Sequence, residues 1–272
     1  MRNDKKRVMV GLFCAVVAVQ FTACGDDFLG GSLDEWRQKA EAANGIGIPV
    51  KMVFVPGGSF EMGKNGDGTS GNVTPVHTVT LSDFYMGTYE VTQAQYKAVM
   101  GTNPSHFKAN NRPVDNVTRY DAIEFCNKLS ERERLQPVYT ISNRNPATGY
   151  PITSALVTAN WSNTGYRLPT EAQWEYAAKG GNGSPGNYIY AGSDNPNDVA
   201  WYRGNSNDTT HAVGTKAPNG LGLYDMSGNV EELCWDWKRG GYWGSSAEGV
   251  RSAYRNSNLS IRVTHGFRLV RP

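Results

Sequence analysis

Thiols and imidazoles are the side chains most able to hold a transition metal or attack a substrate, and this chain of 272 residues has four of each. His77, His106, His211 and His265 include no pair at the spacing of a helical metal motif, and a lone histidine is more often packed than ligating, so none receives a role. Cys14 belongs to the N-terminal leader and Cys24 directly follows it, which leaves Cys126 and Cys234. Cys126 sits in the apolar helical run Ala122-Ile123-Glu124-Phe125-Cys126, where a buried free thiol is the ordinary outcome. An oxidising compartment would permit a disulfide, but nothing in the sequence brings Cys234 to Cys126, and both are expected unpaired. The densest run of contact chemistry is residues 242–255, with Tyr242, Trp243, Ser245, Ser246, Glu248, Arg251, Tyr254 and Arg255. Aromatic and arginine side chains make binding hot spots when partly exposed. For Arg251 and Arg255 internal pairing that pins loops is an equal reading, so Trp243, Ser245, Ser246 and Glu248 are the better candidates for outward contact.

The leader has a chemistry of its own. A basic start, Met1-Arg2-Asn3-Asp4-Lys5-Lys6-Arg7, precedes an apolar run over residues 8–23 that ends in Phe21-Thr22-Ala23-Cys24. The run is shorter than the ~20 residues of a membrane-spanning helix, and small residues followed by Cys form a cleavage site of the bacterial lipoprotein type. An uncleaved signal anchor is the alternative. Cleavage before Cys24 would put lipid on that residue and take the charge balance from 27 basic and 25 acidic residues to 23 and 24, because Arg2, Lys5, Lys6 and Arg7 leave with Asp4. The basicity belongs to the leader. Without a basic run, the electrostatic footprint of nucleic-acid binding is absent.

Stepping outward to the elements, residues 24–48 read as a lipid-anchored tether with a short helix over 33–43, and a domain starts near residue 49 and runs to 272. Strands are expected at 50–56, 59–62 and 76–81. Helices are expected over 92–100, 120–134 and 169–178, the first opening at Thr92 and closing at Gly101. Residues 136–163, rich in Thr, Asn and Pro, look like an insertion with hairpin strands at 138–141 and 155–157. Charged residues make up 19%, and with 31 Gly and 13 Pro the chain is loop-rich without reaching the ~25–30% Gly plus Pro of low-complexity chains. Trp161, Trp174, Trp201, Trp235, Trp237 and Trp243 are expected to supply large burial to a core with few regular elements.

Five phrases, in order, carry a resemblance. They are Val53-Phe54-Val55-Pro56-Gly57-Gly58-Ser59-Phe60-Glu61-Met62-Gly63, Tyr89-Glu90-Val91-Thr92, Gly165-Tyr166-Arg167-Leu168-Pro169-Thr170-Glu171-Ala172-Gln173-Trp174-Glu175-Tyr176, the stretch from Asn219-Gly220-Leu221 through Asp225-Met226-Ser227-Gly228-Asn229-Val230, and Gly266-Phe267-Arg268. Together they resemble the sulfatase-modifying factor, or formylglycine-generating enzyme-like, family over roughly residues 50–271. The resemblance implies an irregular, loop-rich α+β single domain of the formylglycine-generating enzyme and C-type-lectin-like type. It also implies a structural calcium held by Asp225, Gly228, Val230 and Glu232, although Glu231 and Leu233 stand where the family usually has Trp. A second family calcium site would fall near Val199, Asn205 and Asn207, and Val199 offers it no side-chain ligand.

Active family members oxidise a substrate cysteine with O2 and copper(I), which two cysteines hold. The matching positions here are about Ser245 and Val250, so soft thiolate ligands are missing and copper is not expected. The iron-dependent branch carries a His-x-x-x-His-x-Glu motif that this chain lacks. In lectin-like relatives the stretch containing Tyr242, Trp243, Ser245, Ser246, Glu248 and Arg251 lines the ligand groove. The expectation is therefore a lipid-anchored envelope module, calcium-stabilised, that binds a protein, peptide or glycan. The rival is an oxidoreductase of the same family acting through non-standard ligands.

Overall fold

The computed structural model describes residues 50–63, 75–182, 188–257 and 263–272. The described residues belong to one compact unit that spans residues 46–272. The leader, Cys24 and the tether helix lie outside the described residues.

Three helices carry the architecture, and each begins at a threonine. Thr92 caps α1 (Gln93–Met100), Thr118 caps α2 (Arg119–Arg132), and Thr170 caps α3 (Glu171–Ala178). Each cap is reciprocal, the hydroxyl accepting from the third helical N–H while that residue's side chain accepts from the cap's own N–H. Hence the third helix starts at Glu171 rather than at Pro169, because Thr170 has extended φ and ψ as the cap. Gly101, at φ 78°, ends α1 in the left-handed region. A single four-residue turn, α4 (Pro196–Val199), follows.

Strands are short and distributed over several small sheets. β1 (Met52–Val55) pairs antiparallel with β4 (Phe84–Gly87), which also pairs with the last strand, β13 (Val270–Arg271). β2 (Gly58–Met62) and β3 (His77–Leu81) form one hairpin, and β5 (Tyr139–Asn145) and β6 (Ser154–Ala159) form another inside the segment read as an insertion. A short parallel pair joins β7 (Ala200–Trp201) to β8 (Ser227–Gly228). The four-stranded sheet has the order β11-β10-β9-β12, from Arg255–Asn256, Lys238–Arg239, Glu231–Leu233 and His265–Gly266. No helix of the described residues is long and apolar enough to cross a membrane.

Two large apolar clusters fill the interior, beside a smaller one of Tyr190, Val199, Ala200 and Val250. One gathers Tyr96, Ile123, Phe125, Cys126, Leu129 and Phe267 around α1 and α2; the other packs α3 through Trp174 and Tyr176 onto Phe84, Met86 and Val270 of the three-stranded sheet. Of the six tryptophans expected to fill the core, Trp174 alone is fully buried, while Trp161 is 45% exposed and Trp201, Trp235, Trp237 and Trp243 are half-buried. Charged side chains occupy interior places that the tryptophans were expected to fill, with Arg239, Arg268 and Lys238 among the largest fully buried residues.

Candidate functional site

The loop from Asn219 to Gly228 hangs on α3. Asn219 donates from Nδ2 to the Ala177 carbonyl (2.7 Å) and accepts on Oδ1 from the Leu221 and Leu223 amides (3.0 and 3.1 Å). The chain then reverses through three left-handed residues, Asp225, Gly228 and Asn229, at φ 58°, 83° and 60°. Gly228 is required there, since a Cβ would lie 2.1 Å from the Trp201 carbonyl oxygen. This backbone places Asp225, Gly228, Val230 and Glu232 on one buried stretch.

Three buried carboxylates act on the Arg268 guanidinium, Glu232 by direct contact and Glu90 and Asp225 through space. Arg268 donates from Nε and Nη2 to the two oxygens of Glu232 (2.6 Å each), and Trp174 donates its indole N–H to Glu232 Oε2 (2.7 Å). Glu90 accepts from Asn229 Nδ2 (2.7 Å) and from the Val230 amide (3.2 Å). Asp225 Oδ2 accepts from the Gly214 amide (2.7 Å), while its Oδ1 is buried without a hydrogen-bond partner among the described residues. Burial, with the Asp225 and Glu232 charges, pushes Glu90 well above the usual carboxylate range, and burial pushes Asp225 up to about 6. Glu90 and Arg268 escaped the reading of site residues, though both stand in phrases that carried the resemblance.

The donor chemistry is that of a hard cation. An unpartnered carboxylate oxygen, an excess of buried acid over base, and a tight reversal of backbone suit oxygen ligation of calcium. Glu232, however, is already held by Arg268 and Trp174. Among the described residues no group of three or more His, Cys, Asp or Glu side chains is disposed to hold a metal ion, so a cation here would lean on Asp225 and on backbone carbonyls.

The two departures from the family pattern are accommodated separately. Leu233 joins the apolar cluster of α1 and α2. Glu231 forms a buried ion pair with Lys238 Nζ (2.9 Å), accepts from Asn256 Nδ2 (3.2 Å), and lies 3.5 Å from His265 Nε2. Lys238 Nζ in turn contacts His265 Nε2 at 2.9 Å. Burial acts to raise Glu231, but His265 and Lys238 outweigh it and hold the carboxyl below its ordinary range. His265 thus has a structural partner set.

The positions matching the copper cysteines are close-packed. Val250 is fully buried beside Tyr190, Val199 and Ala200, and Ser245 Oγ accepts from the Tyr242 amide (3.1 Å). Gly241, at φ 67°, lets the segment fold back, as a Cβ would sit 2.3 Å from the Gly249 carbonyl oxygen. The thiols of Cys126 and Cys234 are free, lie in different apolar clusters, and are pushed up by burial. This donor set does not fit copper(I), which needs accessible thiolates together at one site.

Across the segment proposed for ligand contact, Ser246 and Glu248 are exposed, whereas Tyr242, Trp243, Ser245 and Arg251 are half-buried. Trp243 meets Tyr242 and Phe107 edge-on (5.5 and 5.6 Å between centroids), and His106 packs edge-on against Phe107. Its indole N–H is buried without a partner among the described residues. Phe107 thus joins this wall from 135 residues before Tyr242, in no motif that sequence could expose; only the fold brings it there. Arg251 hydrogen-bonds the Tyr190 hydroxyl. Arg255 pairs with Glu171 (3.1 Å) and lies over the Trp237 ring (4.5 Å), so it serves the interior.

A family model described as the sulfatase-modifying factor enzyme 1-like domain matches residues 41–272. The chain belongs to that family. It is 42% identical over 240 residues to the "Chaperone protein LppX" of Paenibacillus barcinonensis, covering 75% of this chain and 82% of that protein. It is also 30% identical over 232 residues to the formylglycine-generating enzyme of Mycobacterium tuberculosis, covering 69% of this chain and 73% of the enzyme. Among solved structures, Treponema denticola variable protein 1 superposes with a TM-score of 0.71 at 34% identity, covering 83% of this chain and 96% of that one. The irregular α+β fold is therefore that of the formylglycine-generating enzyme family.

Proposed function

We propose that this family member is an exported, lipid-anchored module of the cell envelope that binds or assists a partner rather than generating formylglycine. The observation that carries the reading is the buried, apolar Val250 at one of the two copper positions, in a chain that matches the family over residues 41–272. A high-level likeness to a protein named a chaperone supports an accessory role. Lipid on Cys24 is the anchor in this reading. Calcium is the structural cation, with Asp225 as its side-chain ligand and the carbonyls of Gly228 and Val230 beside it, while Glu232 stays bound to Arg268 and Trp174. Bound there, calcium would neutralise the acidic cluster and fix the reversal between β8 and β9. The stretch holding Trp243, Ser246 and Glu248 is the contact surface for a protein, peptide or glycan.

The test is elemental analysis of the full-length chain, purified in detergent without chelator and then offered calcium and copper(I). Near-stoichiometric calcium with no retained copper or iron is the expected result. Stoichiometric copper or iron would replace this reading with that of an oxidoreductase using non-standard ligands.

A further inference from the structure

A second surface, sharing no residue with the 242–251 stretch, has the makings of an anion site. Several buried or half-buried arginines among the described residues face acids: Arg239 pairs with Glu171 and Glu175, Arg268 with Glu232, Arg144 with Glu124. Arg119 and Arg167 do not. Arg119 lies over the Trp235 ring (4.4 Å to the centroid) and Arg167 over the Trp161 ring (5.3 Å). The two indoles meet edge-on at 5.4 Å, and Tyr139 stacks on Trp235 at 5.3 Å. Arg167 is 8% exposed and donates from Nη1 to Gln173 Oε1 (2.7 Å), yet its Nε, like that of Arg119, is buried without a partner among the described residues. Burial lowers both guanidinium groups from their ordinary value. Asp236 acts on Arg119 through space, but its Oδ1 accepts from the Glu171 amide (3.4 Å) and it forms no ion pair with Arg119. Trp161, 45% exposed, gives the cluster an open apolar ring at the surface.

We propose that Trp161, Trp235, Arg119 and Arg167 form a binding site for a carboxylated saccharide of the uronic-acid type. Two guanidinium forks set against aromatic rings and lacking an acid of their own call for a carboxylate, which Arg grips in a planar, bidentate manner. An exposed indole beside them calls for a flat apolar face. A uronate presents both within one residue, because its carboxylate is attached directly to the pyranose ring. An acidic peptide carries its carboxylates on flexible stems without a ring, and the pairing of indole with guanidinium favours the sugar.

The experiment is surface-based binding of the full-length chain in neutral detergent to immobilised polygalacturonate, with neutral dextran and polyglutamate as comparators. Polygalacturonate is expected to be retained, with affinity falling as salt rises, and dextran and polyglutamate to be retained at least 10-fold more weakly. R119Q and W161A should each weaken the interaction about 10-fold or more, R119K less, while K97Q, at an exposed position of α1, binds as the wild type. Equal retention of dextran would overturn the proposal, and so would equal retention of polyglutamate, which would make the surface a peptide or purely electrostatic site. Unchanged affinity in both R119Q and W161A, or an equal loss in K97Q, would move the site elsewhere and overturn it too. If a variant melts early, the wild-type comparison among the three polymers still decides. Elemental analysis is independent of every one of these outcomes.

Discussion

At the scale of single residues, charges placed where apolar side chains would ordinarily go set the character of the interior. Arg268 is fully buried and binds both oxygens of Glu232 while reaching the Gly87 and Tyr224 carbonyls (3.1 and 2.9 Å). Removing one partner of such a pair leaves an uncompensated charge, which costs about 3–5 kcal/mol. Arg268→Met is therefore expected to lower the melting temperature by about 10 °C, a drop that a thermal scan by circular dichroism would measure. Glu124 gives the pH counterpart. Burial acts to raise it, but Tyr150 Oη (2.7 Å), Arg144 Nε (2.9 Å) and Lys128 Nζ (3.0 Å) outweigh that and hold it below the usual range. A depressed folded value adds stability that is present above the unfolded value of about 4.3 and is lost as pH falls through the folded one. Melting curves from pH 7 to pH 3 should accordingly show a shallower acid decline in Glu124→Gln than in the wild type.

At the scale of elements, what sequence could show depended on whether the signal was local. The helix starts at Thr92, Thr118 and Thr170 were legible within a residue or two, since a capping threonine and its partner three positions later are written side by side. The β5–β6 hairpin was likewise visible as two short runs in the segment taken for an insertion. The two-residue strands around the site were not, because a ladder such as Ala200 to Ser227 depends on a reversal that only left-handed residues make. That reversal is testable. In Gly228→Ala the new Cβ meets the Trp201 carbonyl at a left-handed φ of 83°, and a loss of more than about 1 kcal/mol is expected, read as a lower urea midpoint at unchanged slope. Trp161 and Trp235 show the other limit: composition identified them as large apolar side chains, but nothing local said that Arg167 and Arg119 would lie over their rings.

At the scale of the whole molecule, the family phrases located the acidic site because they include its Asp225, Glu90 and Arg268, even though only the first was given a role from sequence. A cation bound to the folded state alone would stabilise the entire domain by mass action, about 2.7 kcal/mol at a free concentration 100 times its Kd. Added calcium should thus raise the melting temperature of the metal-free chain by about 5–10 °C, and chelator should reverse the rise; an unmoved transition would remove calcium from this account. The three-stranded sheet has a mechanical meaning for a protein proposed to be tethered to a surface. β1 and β13 both run antiparallel to β4 and flank it, and the last segment is further held by Gly87 N to Leu269 O (2.8 Å), Val91 N to Phe267 O (2.9 Å) and Val270 N to Arg167 O (2.9 Å). Tension drawn between the start of β1 and the end of β13 would therefore slide the outer strands along β4 in opposite directions. The hydrogen bonds would be loaded together in shear rather than peeled apart one by one, so the domain is built to resist pulling along the line of its own chain.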